Sequence, residues 1–140
     1  LIEQFFRVLK TQGFRLEDSQ IATADRLLKL VAIAAKAAVI TIQLLQARDG
    51  RGQQPIHLAF NGSELAALTA LNQDIEAKSK RLKNPFPPDR LAWGAWIIGR
   101  LGGWDGYPSS KPPGPITMKH GLEYFHAVAV GWSLRNVCMP

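Results

Sequence analysis

The residues with the clearest chemical potential stand at the start of the chain, in Leu1-Ile2-Glu3-Gln4-Phe5-Phe6-Arg7-Val8-Leu9-Lys10. A carboxylate at Glu3 and an ammonium at Lys10 are nearly two helical turns apart, with Arg7 between them at i+4 from Glu3, so all three share one helical face. Such a face could hold a divalent cation beside a phosphate. Spacing alone fits equally well an amphipathic helix whose polar side carries a Glu–Arg pair worth a few tenths of a kcal/mol.

A second set of groups follows much later. Lys78, Lys80, Arg81 and Lys83 cluster before Pro85, Pro87 and Pro88. Cations at a helix end complement the macrodipole and stay solvated. They can also contact phosphates, and with no aromatics interleaved the contact would be to backbone and independent of base sequence. The histidines His57, His120 and His126 have no metal-ligand spacing with the single cysteine, Cys138, which argues against zinc. The sequence holds no glycine-rich phosphate loop after a strand and no G-x-S-x-G elbow.

These residues must be positioned by helices. The chain has 140 residues, 46% of them hydrophobic and 20% charged, enough for a single core and too apolar for disorder. The net charge of +6 and a pI near 9.8 favour polyanionic partners. A lone cysteine excludes an intramolecular disulfide, and the expected compartment is the cytoplasm. The apolar run from Leu27 to Leu45 is interrupted by Lys29, Lys36 and Gln43. Each buried lysine would cost about 2.5 to 3.5 kcal/mol at a bilayer centre, so the run is expected to be a core helix and no membrane partner is expected.

Periodicity predicts an all-α fold of about five helices. The first ends at Gly13, a C′ glycine. A long central helix runs from about Ser19 to Ala47, with Glu17, Asp18 and Asp25 as helix-start acids and an apolar stripe of Leu27, Leu30, Val31, Ala34, Ala38, Ile42 and Leu45. A turn-rich loop follows from Arg48. Asn61 and Glu64 form a capping box for a third helix with Leu65, Leu68, Leu71 and Ile75 on its face. Asp89 is expected to cap a fourth helix bearing Trp93, Trp96, Ile97 and Leu101, stopped by Gly102-Gly103. Trp104 to Pro115 reads as a surface loop. Thr117 would cap a closing helix with Leu122, Phe125, Ala129 and Trp132 on one stripe. Trp93, Trp96, Leu101, Leu122, Phe125 and Trp132 are expected in the core or at a dimer contact rather than as base-stacking platforms.

Two of these segments together resemble one family. Glu3 and Lys10 have the E-x6-K spacing that ends the Y-x2-R-x3-E-x6-K signature of bacterial DDE-class cut-and-paste transposases, in an I-E-x-F setting. Leu91-Ala92-Trp93-Gly94-Ala95-Trp96-Ile97-Ile98-Gly99-Arg100-Leu101-Gly102-Gly103-Trp104 resembles the W-x-I-A-R-L-G-G-[FW] block of that family's C-terminal dimerisation domain. Gly114-Pro115, Gly121-Leu122 and Gly131-Trp132 are similar in spacing to its closing helix, so the resemblance runs from Leu1 to about Leu134.

The resemblance implies that residues 1–47 are the end of an RNase H-like catalytic core with its connecting helix, 48–62 a loop, and 63–140 the helical dimerisation domain. Glu3 becomes the third carboxylate of a two-metal site for Mg²⁺ or Mn²⁺, and Lys10 a contact to a phosphate near the scissile bond. The signature Tyr and Arg and the two partner aspartates would lie upstream, so no cofactor and no catalysis are expected of this portion alone. Implied partners are the DNA of transposon ends and a second copy of the chain, because in related enzymes each active site acts on the end its partner holds. A stand-alone helical DNA-binding or protein-interaction regulator, working through Lys78 to Lys83, is the alternative.

Overall fold

The structure, a computed structural model, describes residues 3–4 and 24–138. Among these it is all-α. Four helices, α1 (Ala24–Ala47), α2 (Gly62–Ala77), α3 (Leu91–Leu101) and α4 (Pro115–Cys138), are joined by a short 3₁₀ turn at Ile56–Leu58 and by loops. Of the predicted first helix only Glu3 and Gln4 are described, both helical; its Gly13 stop, the Ser19 start, and the acids Glu17 and Asp18 lie outside the described residues.

The core forms around α3. Its residues from Leu91 to Gly99 are all buried, because apolar side chains and glycines surround the helix on every side rather than along one stripe. Against it pack Leu44 and Leu45 of α1, Ala67 and Leu68 of α2, and Met118, Leu122 and Phe125 of α4. Ile56 and Phe60 of the 3₁₀ segment close one end. The Phe60 ring meets Phe125 edge-on at 5.4 Å and 86°, the arrangement that aromatic quadrupoles favour.

Helix α1 divides in two. From Ala34 to Ala47 it contributes buried residues, and Thr41 satisfies its own hydroxyl by donating to the Ala37 carbonyl at 2.8 Å. Towards its start the predicted stripe is only partly covered: Leu30 is half-buried, and Leu27 and Val31 are each 40% exposed. Off the stripe, Leu28 and Ile33 are each 68% exposed. By length and composition α1 could cross a membrane, yet its C-terminal half is packed into the core. Asp25, in its first described turn, pairs with exposed Lys29 at 3.5 Å.

Two expected caps are corrected. Asp89 does not cap α3; Arg90 is the N-cap residue and makes no side-chain cap bond. The free Leu91 N–H is instead satisfied by the Gln54 carbonyl at 2.8 Å, part of an isolated antiparallel bridge between Pro55 and Arg90. Nor does Thr117 open α4, which begins two residues earlier with Pro115, a residue whose fixed φ and missing N–H suit the first helical position. The capping box of α2 forms as expected, Asn61 Oδ1 accepting from Glu64 N and Glu64 Oε1 from Asn61 N, each at 2.9 Å.

Helices α1 and α4 are antiparallel neighbours. Ile33 and Lys36 share a cavity with His126, whereas Thr41 shares one with Lys119 and Leu122. The less buried halves of both, with Tyr124, Val130 and Leu134 exposed on α4, therefore extend together away from the core.

Candidate functional site

Glu3 is helical and exposed. Arg7 and Lys10, the other members of its predicted face, lie outside the described residues. Among the described residues no three His, Cys, Asp or Glu side chains are grouped so as to hold a metal ion. Two Mg²⁺ or Mn²⁺ ions require several convergent carboxylates, and among the described residues none accompanies Glu3 in such a group.

The basic run after α2 is largely engaged with its own helix. Lys78, the C-cap residue, pairs with Asp74 at 3.2 Å, and Lys83 Nζ donates to the Glu76 carbonyl at 2.6 Å. The Lys83 bond satisfies a carbonyl at the negative end of the helix, and the Lys78 charge stands beside the same end. Lys80 and Arg81 are exposed, with no hydrogen bond or ion pair among the described residues. The connection beyond them is pinned by a buried amide. Asn84 Nδ2 donates to Asn72 Oδ1 and to the Trp93 carbonyl, each at 3.1 Å, tying the loop to α2 and α3 at once.

The R-L-G-G-W segment is a built turn. Gly103 takes φ +105°, Trp104 N–H donates to the Gly99 carbonyl at 3.0 Å and Gly103 N–H to the Arg100 carbonyl at 3.1 Å, the paired bonds of a Schellman stop. Arg100 holds the exit of that turn: Nη1 donates to the Asp105 carbonyl, and its guanidinium lies 5.7 Å from the Trp96 ring centroid. Its Nε is buried without an acceptor. Trp104 Nε1 donates to the Lys111 carbonyl at 3.0 Å.

Asp105 completes this corner by accepting from the Ser110 hydroxyl at 2.7 Å and the Tyr107 N–H at 2.9 Å. The Ser110 bond above all, then the Tyr107 N–H, hold its carboxyl below the usual carboxylate range, and the Arg100 charge adds to them. Trp93, Trp96, Leu122 and Phe125 are buried within the chain itself, and Leu101 and Trp132 pack half-buried against the core.

Two surface features were not anticipated from the sequence. A groove of about 450 Å³ runs between α1 and the 3₁₀ turn, lined by Ile40, Leu58 and Phe60 together with Lys36, His57 and Glu64. His126 Nε2 stands 3.9 Å from Glu64 Oε2 nearby. A smaller cavity of about 260 Å³ lies between the 50–53 turn and the entry to α3, where Arg51 and Arg90 both reach its wall. The sequence shows Arg51 in a glycine-flanked turn and Arg90 before a helix; only the Pro55–Arg90 bridge brings them together.

No protein-family model matches this chain, and no curated protein matches it.

Proposed function

We propose that the chain is the C-terminal portion of a DNA transposase of the DDE class, whose own contribution is to pair two subunits while supplying one catalytic carboxylate, Glu3. The observation that carries the proposal is the joint occurrence of E-x6-K at Glu3 and Lys10 with R-L-G-G-W at 100–104, at the separation the family motif has. The all-α fold is compatible with a dimerisation domain, and the apolar side chains exposed on α1 and α4 offer a surface on which a second copy could be buried. The net charge of +6 suits a DNA partner, and the cytoplasm is the compartment that goes with it.

In this proposal Glu3 and Lys10 act only in the longer protein, where upstream aspartates would join Glu3 around Mg²⁺ or Mn²⁺. Those ions would supply activation of the attacking oxygen and stabilisation of the leaving one. The same basic charge also favours the alternative, a stand-alone helical regulator that binds DNA. Self-association with weak DNA affinity supports the first; a monomer with tight, salt-sensitive DNA binding supports the second.

The deciding experiment uses the full reading frame. An Arg two residues before Leu1 and a Tyr three residues before that Arg are expected there. Glu3→Gln in the full-length protein is expected to abolish DNA cleavage, by a factor of at least about 10³ as for loss of a transition-state group, while leaving DNA binding and assembly intact. Retained cleavage removes Glu3 from the site.

A further inference from the structure

The geometry points to a phosphate-binding site in the cavity between Arg51 and Arg90, with the phosphodiester backbone of a nucleic acid as its occupant. Arg51 and Arg90 line one small space, together with Gln53, Phe86, Pro87 and Ala92, and the Arg51 side chain is 90% exposed at its mouth. Their ion pairs are loose. Arg51 Nε stands 3.8 Å from Asp49 and Arg90 Nε 4.0 Å from Asp89, both at the outer limit of an ion pair. Asp49 is moreover engaged through Oδ1, which accepts the Arg51 backbone N–H at 2.9 Å.

Exposed pairs of this kind contribute little, so little is lost when the forks turn to a better acceptor. The contrast within the chain is direct. Arg48 Nη1 donates to the Pro113 carbonyl at 2.6 Å and Arg100 Nη1 to that of Asp105, whereas among the described residues neither the Arg51 nor the Arg90 side chain has a hydrogen-bond partner. A planar guanidinium fork matches the oxygens of a phosphate two at a time.

The frame that carries the forks is fixed before any ligand arrives. Ile56 N–H donates to the Asp89 carbonyl at 2.9 Å and Leu91 N–H to that of Gln54 at 2.8 Å, so the two segments bearing the arginines are laced together. On the other side Gly50, at φ +76°, lies so close to the Phe86 ring that a Cβ there would stand 2.3 Å from it. The turn is thus seated on the wall of its own cavity. Preorganisation of this kind lowers the ordering cost of binding.

Shape selects the class of ligand. At about 260 Å³ and open to solvent, the cavity falls below the roughly 300 Å³ at which enclosed small-molecule sites begin. It fits one phosphate and the sugar beside it, the sugar lying on Phe86 and Pro87, while the rest of a polymer passes over the surface. Ala92, in the first turn of α3, places the positive end of that helix at the same space.

This inference deepens the nucleic-acid side of the transposase reading and is tested apart from it. The 140-residue chain is titrated into fluorescein-labelled 20-nucleotide single-stranded and duplex DNA, with anisotropy followed at several NaCl concentrations. Arg51→Ala/Arg90→Ala is expected to weaken binding about tenfold or more and to lower the magnitude of the salt slope by about one. Arg51→Lys/Arg90→Lys is expected to keep the slope and lose part of the affinity, since charge is retained without the fork.

Wild-type binding that the alanine pair leaves unchanged would overturn the site, as would a wild-type chain that binds neither DNA. Arginine-dependent binding of a mononucleotide as tight as that of the oligonucleotide would overturn the polymer as occupant. Arginine-dependent DNA binding alongside undiminished cleavage by full-length Glu3→Gln refutes the role of Glu3 alone, and the reverse pattern refutes this site alone.

Discussion

Gly121 decides how closely the two best-packed helices can lie. A Cβ there would stand 1.9 Å from the Ile98 carbonyl oxygen, a backbone atom that cannot swing aside. Gly121→Ala must therefore push α4 off α3, and overpacking of this kind typically costs about 1–3 kcal/mol or more. We expect a loss near the top of that range in urea unfolding, against almost none for Gly114→Ala, whose added methyl meets nothing within 4 Å. Residue type alone made part of this legible. Gly102-Gly103 reads as a helix stop because a positive φ is needed just past a helix end. Gly121 sits inside a helix, where its reason is the partner carbonyl of Ile98, which no local pattern announces.

At the scale of the element, the helix ends show which caps a sequence discloses. Asn61 and Glu64 form a reciprocal cap that depends only on residues three apart, and the structure builds it as expected. Asn61→Ala should cost about 1 kcal/mol, and Asn61→Asp or Asn61→Ser should recover most of it, read from the midpoint of thermal unfolding. The failure at Asp89 has a physical cause. Arg90 holds the N-cap position, one residue beyond Asp89, because the Pro55–Arg90 bridge fixes where the helix can begin. Asp89 gives its carbonyl to the Ile56 N–H, and the first N–H of α3 goes to the Gln54 carbonyl, 37 residues back along the chain. At α4 the helix starts two residues before Thr117, at Pro115, whose fixed φ and missing N–H suit the first helical position. The joining of Arg51 to Arg90 belongs with the first case, since it depends on the same bridge between distant segments.

For the whole molecule, the all-α class was legible because apolar residues recur at helical spacings through every long segment. Which half of α1 would be buried was not, since its stripe is continuous in sequence and only tertiary contact divides it. The exposed part bears on the proposed pairing of subunits. If Leu28 and Ile33 of α1 and Val130 of α4 meet a second copy, Leu28→Glu/Val130→Glu should convert a dimer to a monomer in sedimentation velocity. Far-ultraviolet circular dichroism should be preserved, because each of these side chains is more than 60% exposed in the single chain. A wild-type chain that sediments as a monomer at every concentration would remove this surface from the proposal.

The uneven burial of α1 has a geometric consequence. The 24 described residues of this helix span about 36 Å, with buried side chains concentrated towards Ala47 and large apolar side chains exposed towards Ala24. A tilt of about 5° where Leu44 and Leu45 are seated would sweep the far tip through roughly 3 Å, so a small repacking beside α3 would be felt, magnified, at the opposite extremity.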